Sequence, residues 1–301
     1  MKKWFLYFLI CAIPLTGCED VIEVDTPSED PRLVVEGLLR VDTTQRWIPV
    51  EIKLTQTSNF FGTIEPVTDV DEIIIISQEI DENGLPNGGT GTSSLTQLDP
   101  GSGIYVPDPS FDRDQRIPVS AVLEANIEFT LVISWRGRRY AAQTRYVPAV
   151  PIDTLVQGDK TLFEDEETEV IVRFTDDEEP GQYYLFDFGF ANFLPSEDTF
   201  YNGQQFTFSY FYDEIFIPGT ALEISILGAD QTFYNYMDLL VEQTDGAQGP
   251  FQTPVATARG NVFDVTNLDN DEVVDNAAQP NTFGLGYFAI VQEFKSTLII
   301  E

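Results

Sequence analysis

The apolar residues of this chain fall mostly into short runs separated by turn residues, a pattern that predicts strands rather than helices. LVVEGLLRV (33–41) and WIPVEIKLT (47–55) are β-rich runs joined by Asp42-Thr43-Thr44-Gln45, and EIIIIS (72–77) is a continuous apolar run with the length of one buried strand. A turn-rich tract, DENGLPNGGTGTSS (81–94), precedes GIYVP (103–107). IEFTLVISW (127–135) and RYAAQTRYV (139–147) flank Arg136-Gly137-Arg138 and predict a hairpin. Strands of this length and spacing point to an antiparallel, immunoglobulin-like β-sandwich over 32–147.

Val147-Pro148-Ala149-Val150-Pro151-Ile152-Asp153 has no strand or helix period, and its two prolines stiffen it, so 148–153 is the expected linker. Beyond it, 154–301 reads as a second β-rich domain. In YLFDFGF the residues Tyr184, Phe186, Phe188 and Phe190 share one parity, as do Phe206, Phe208, Tyr210 and Tyr212 in FTFSYFY. Two strands with aromatic faces are expected there. One amphipathic helix breaks the pattern near 231–244: Phe233, Tyr236, Met237, Leu240 and Val241 follow the i, i+3, i+4, i+7, i+8 spacing, and Asp230 is placed to cap it. The last tract, LGYFAIVQEFKSTLIIE (285–301), is again strand-like.

The first 17 residues read differently. Two lysines, an apolar run from Trp4 to Leu15 and small residues before Cys18 have the layout of a secretory signal peptide, and the run is too short to span a bilayer. Leu15-Thr16-Gly17-Cys18 resembles a bacterial lipobox, which makes Cys18 the expected lipidation site and new amino terminus. Several acyl chains would then hold the chain at a membrane without a spanning helix. Residues 18–31 would form an acidic tether. Its Glu19, Asp20, Glu23 and Asp25 resemble the export signal of Bacteroidota lipoproteins carried to the outer face of the outer membrane; a solvated linker is the other reading. Cys11 leaves with the signal, so Cys18 has no disulfide partner.

Composition narrows the chemistry. Apolar residues make up 43% of the chain, enough for substantial cores, and 50 acidic against 16 basic residues give a net charge of −34. Nucleic acid is thereby disfavoured as a partner. Only Lys160, Arg173, Arg259 and Lys295 are basic after residue 150, so the second half carries most of the excess negative charge. A carboxylate-rich surface fits a salty medium, cation binding or steering of cationic ligands. With no histidine in the chain, the usual general base and the commonest transition-metal ligand are missing. Carboxylate chemistry remains open, since glycoside hydrolysis needs only two acids at the right separation.

Four features are candidates for binding. Tyr184, Phe186, Tyr210 and Tyr212 could stack on a ligand such as a sugar ring or could form a sandwich core. Asp269, Asp271 and Asp275 offer oxygen ligands for Ca2+, but the loop lacks EF-hand spacing, and a solvated acidic loop is the reading the residues favour. Gly88-Gly89-Thr90-Gly91-Thr92 lacks the lysine and setting of a phosphate loop and reads as a flexible hairpin loop. Arg136, Arg138 and Arg139 could meet an acidic partner or lipid headgroups, or form a charged turn.

Taken in order, the cysteine at 18, LVVEGLL, IEFTLVISWRGRRYAAQT, VPIDTL, VRFTDDEEPGQYYLF, FQTPVATARGNVFDV and LGYFAIVQEF resemble the Bacteroidota lipoprotein family called domain of unknown function 4249. The ordered set is more specific than any one motif, with Arg259-Gly260-Asn261 and Leu285-Gly286-Tyr287-Phe288 its most distinctive elements, whereas TNLDNDEVVDNAAQPN (266–281) departs from the family. The resemblance implies an accessory lipoprotein beside a TonB-dependent (SusC-like) outer-membrane transporter, with no catalytic residues and no cofactor to carry over. Expected from all this is a surface-exposed, non-catalytic protein that binds a ligand or partner. A carboxylate enzyme acting on glycans and a calcium-stiffened adhesive protein are the alternatives.

Overall fold

The computed structural model describes residues 30–58, 62–162, 166–244, 257–266 and 283–301. The first strands are β1 (Leu33–Val41), β2 (Ile52–Gln56), β3 (Glu65–Pro66), β4 (Glu72–Ile80), β5 (Pro86–Gln97) and β6 (Ile104–Pro107), then a short helix α1 (Val119–Glu124), β7 (Ile127–Trp135) and β8 (Arg138–Val147). They are followed by β9 (Ile152–Gln157), β10 (Thr168–Thr175), β11 (Tyr183–Asp187), β12 (Phe193–Glu197), β13 (Gln205–Tyr212), β14 (Ala221–Ala229), helix α2 (Gln231–Thr244), β15 (Val262–Asp264) and β16 (Leu285–Ile299). The protein is mainly β, as the short apolar runs predict.

Strand β16 organises both halves. Its first part lies parallel to β1, from Val34 opposite Leu285 to Val41 opposite Gln292, and its Ile290 and Val291 also pair with Tyr146 and Val147 of β8. Strands β1, β2, β6, β5, β4, β7 and β8 are joined in that order by antiparallel ladders. The two contacts of β16 therefore close an eight-stranded, barrel-like sheet. This corrects the expected immunoglobulin-like sandwich over 32–147. Short antiparallel strands look alike in a sandwich and a barrel, and here the closing strand comes from the far end of the sequence.

The barrel is filled. Leu33, Val35, Leu39, Leu54, Phe129, Leu131, Trp135, Phe288 and Ile290 point into one core, to which α1 adds Val119 and Val122. Eight strands enclose a space that side chains alone can fill, and burying each such side chain contributes about 1.5–3 kcal/mol.

Where β8 and β16 part, a clasp bridges the seam. β15 pairs with β8, and the side chain of Asn261 imitates a strand: its Oδ1 accepts from the Phe288 amide at 2.9 Å, while Nδ2 donates to the carbonyls of Phe288 at 2.8 Å and Gln143 at 2.9 Å. Only glycine fits beside it. A Cβ on Gly260 would lie 1.6 Å from the Gly286 carbonyl oxygen, and one on Gly286, at φ +89°, would lie 1.9 Å from that of Val35.

The second part of β16 leaves the barrel and pairs with β14, from Leu227 opposite Glu293 to Ala221 opposite Ile299. Strands β12, β11, β14 and β16 form one sheet face, and β13, β10 and β9 form a second sheet. One core joins them: Val170, Val172 and Phe174 from β10 meet Tyr184 and Phe186 from β11 and Leu222, Ile224 and Ile226 from β14. This is a two-sheet sandwich, and the chain crosses between its sheets after β10, β12 and β13. Pro148 and Val147 approach Gly228 of β14 through their carbonyls, and Ala149 and Val150 pack on the sandwich core, so this proline segment lies against the fold.

Three of the tracts singled out in the sequence fold differently from their expected form. The tract 81–94 yields only a tight turn before β5, because Gly88 and Gly91 leave room for the side chains of Glu79 and Ser77 on the neighbouring strand. Gly88 to Thr92 is thus strand, not the expected flexible loop. Of 47–55, only the end is β2, while Trp47 makes an isolated bridge to Pro118. Phe190 falls in the turn after β11 rather than on its aromatic face.

Candidate functional site

Helix α2 forms where the apolar spacing places it. Asp230 caps it, accepting from the Phe233 amide through Oδ1 at 2.7 Å. Its inner face rests on the outer surface of the shared sheet, where Phe233 and Tyr236 meet Tyr287 with ring centroids 4.9 and 5.1 Å apart, and Tyr183 meets Tyr234 at 5.0 Å. The Tyr287 hydroxyl is pushed well above the usual phenol pKa by burial, with Asp230 and Tyr236 adding to the effect. It stays a neutral hydrogen-bonding group at physiological pH.

The helix does not cover this surface completely. Between α2 and the outer faces of β1 and β2 lies an open groove of about 390 Å³. Leu38, Tyr287 and Ala289 form its floor, Tyr236, Met237 and Leu240 its helical wall, and Phe193 of β12 one end. Charges stand at its margins. Lys53 Nζ donates to both carboxylate oxygens of Glu36, at 2.9 and 3.1 Å, with Glu51 nearby. Arg40 donates to Asp187 Oδ2 at 2.6 Å and to Glu293 Oε1 at 3.1 Å, and Glu293 also accepts from the Ser225 hydroxyl. An apolar floor with a few fixed polar groups at the edge, in this size range, is the usual form of a small-molecule or peptide site. The helix spacing pointed to packing but not to this groove. Its floor comes from Leu38, Tyr287 and Ala289, which the barrel closure alone brings together.

The aromatic residues singled out from the sequence lie elsewhere. Tyr184, Phe186 and Tyr212 are at most 3% exposed in the sandwich core. Phe186 meets Phe174 at 5.4 Å and Phe208 at 5.0 Å, and Tyr210 is half-buried, stacked on Phe188 at 3.8 Å and 8°. The Tyr184 hydroxyl donates to Asp176 Oδ1 at 2.5 Å and also contacts Gln182 Oε1, and Tyr212 donates to the Phe188 carbonyl at 2.7 Å. Three of these four rings are thus packed in the sandwich core, and Tyr210 is half-buried at its edge against Phe188.

The hairpin arginines are internally matched: Arg136 to Asp69, Arg138 to Asp264 and Arg139 to Glu72, at 3.9, 2.9 and 3.4 Å, with Arg136 also over the Trp135 ring at 4.4 Å. Leu15, Thr16, Gly17 and Cys18, and the acids Asp269, Asp271 and Asp275, lie outside the described residues. Among the described residues no cluster of three or more acidic, cysteine or histidine side chains is placed to hold a metal ion. No helix among them is long and apolar enough to cross a membrane.

No curated protein matches this sequence. A family model does, over residues 19–297, which takes in the barrel, the sandwich, the clasp and α2. The chain therefore belongs to the family described as domain of unknown function, DUF4249.

Proposed function

We propose that this protein is a lipid-anchored lipoprotein on the outer face of the outer membrane, and that it binds a ligand or partner, without chemistry of its own, as an accessory of a TonB-dependent uptake system. The groove beneath α2 carries the binding part of this reading. There an apolar, half-open surface meets charged groups, whereas the barrel interior is filled with side chains. The lipobox-like Leu15 to Cys18 and the acidic residues after it support the anchor, and the family resemblance supports the transporter as company.

The charged margins also speak for binding over catalysis. Arg40 is held by two partly buried carboxylates and serves as a fixed polar contact, while Glu36 and Lys53 pair at the exposed margin. A ligand with an apolar body and a polar end fits that arrangement.

Leu38→Trp tests the groove directly, because Leu38 belongs to neither the barrel core nor the sandwich core but packs with the cluster beneath α2, and the larger ring fills the groove from its floor. Native mass spectrometry of the full-length protein taken from its own envelope is expected to show a bound small-molecule or peptide mass on the wild type that is lost from the variant. The same mass on both proteins, or on neither, would remove the groove as the binding site.

A further inference from the structure

The end of the sandwich at which β16 terminates is apolar, although sandwich loops are ordinarily polar. Leu162, Phe190, Ile215 and Ile217 are 58, 68, 64 and 78% exposed there. The segment between β13 and β14 is firmly held: the Thr168 hydroxyl donates to the Glu214 carbonyl at 2.7 Å, and the Gly219 amide donates to that of Ile300 at 2.7 Å. Phe216 turns inward, 5.0 Å from Tyr212 and 5.7 Å from Phe190. Ile215 and Ile217 on either side of it are thereby turned out. Ile215, Phe216 and Pro218 share a shallow hollow of about 250 Å³ with residues 158–161.

Phe190 adds an independent sign. The Asn192 amide donates to the Gly189 carbonyl at 2.8 Å, and Phe190 and Ala191 between them have φ of 53° and 65°. Two successive left-handed residues make a type I′ turn, for which Asn-Gly is the favourable pair. A bulky residue in that conformation is strained, and such strain collects at functional places. Here the strained position holds an exposed aromatic ring.

We propose that this tip docks a protein partner whose contact surface is apolar at its centre and basic at its rim. Exposed Asp159, Asp213, Glu214 and Glu301 ring the apolar residues, with Lys160 the one base among the described residues of these loops. That rim repels a second copy of this chain and an anionic lipid surface, and it complements lysine or arginine. The inference stands apart from the groove and does not need a ligand there.

A photo-cross-linking benzophenone amino acid at Ile217 of the full-length protein, in its own envelope, tests this, with Thr90 on the exposed part of β5 as the control position. Irradiation is expected to give one discrete adduct, the chain plus one other polypeptide, from Ile217 and none from Thr90. Changing Asp213 and Glu214 to lysine should lower its yield about tenfold, the scale of a like-charge clash. Replacing Phe190-Ala191 by Asn-Gly should remove the adduct while raising the melting temperature by about 2–4 °C or more, so loss of docking is separated from loss of fold. No adduct, an adduct of two copies of this chain, a lipid adduct, or an adduct that both variants leave intact would overturn the proposal.

Discussion

Asn261 does with one side chain what a stretch of strand would otherwise do, making three hydrogen bonds to two backbone segments across the barrel seam. Removing it leaves buried backbone groups of Phe288 and Gln143 without partners, at about 1–3 kcal/mol for each orphaned group. Asn261→Ala is therefore expected to cost about 3 kcal/mol, read as a lower urea midpoint. Gly286→Ala should cost at least as much, since it combines a left-handed φ with a backbone collision that no rotamer can relieve. If both variants unfolded within about 0.5 kcal/mol of wild type, the clasp would not be what closes the barrel. Arg259-Gly260-Asn261 and Leu285-Gly286-Tyr287-Phe288 stand out in the sequence as the most distinctive tracts, but nothing in their composition says that they touch. Their physical role emerges only when Gly260 is seen against the Gly286 carbonyl.

At the scale of elements, the hairpin of β9 and β10 depends on a buried acid. Glu169 is 2% exposed beneath the turn that follows β9; its Oε1 accepts from the Ser209 hydroxyl at 2.5 Å and its Oε2 from the Lys160 amide at 2.9 Å. Burial opposes its ionisation, but these hydrogen bonds and the Lys160 charge outweigh burial and hold its pKa below the usual 4.5. A carboxylate whose pKa is depressed by folding stabilises the fold above the unfolded value and loses that contribution as pH falls through the folded one. The stability gap between wild type and Glu169→Gln, measured by urea unfolding, should thus be constant near neutrality and shrink below about pH 4.5. A gap that stayed level down to pH 3 would contradict this.

Elements also differ in how openly the sequence declares them. Helix α2 was legible because its apolar spacing and Asp230 cap act locally. Strand β12 was not, because FLPSE has neither alternation nor β-branched residues and becomes a strand only by pairing with β11. Strand β5 was hidden by glycines that a loop would also use. The groove was hidden for the same reason as the barrel: Leu38 and Tyr287 are about 250 residues apart in sequence and meet through β1 and β16.

Across the whole molecule, β16 is the structural axis. It completes the barrel with Phe288 and Ile290, then completes the sandwich through its pairing with β14. Arg40 spans the junction by engaging Asp187 and Glu293, which belong to β11 and β16. The β character was legible from the short apolar runs. The arrangement was not, since a barrel closed by its last strand has no local signature, and the aromatic alternation of Phe206 to Tyr212 reads alike for a binding face and for the core it forms. Charge is uneven on the same scale, with few bases after residue 150 in a chain of net charge −34. The sandwich half is consequently the more acidic part of the protein, which favours a basic partner at its apolar tip.

The most direct test of an uptake accessory is quantitative purification of the full-length, tagged protein from its native outer membrane in mild detergent, followed by mass spectrometry of what accompanies it. The account predicts a TonB-dependent transporter in stoichiometric amount. A protein recovered from that membrane alone, with no transporter above background, would contradict it.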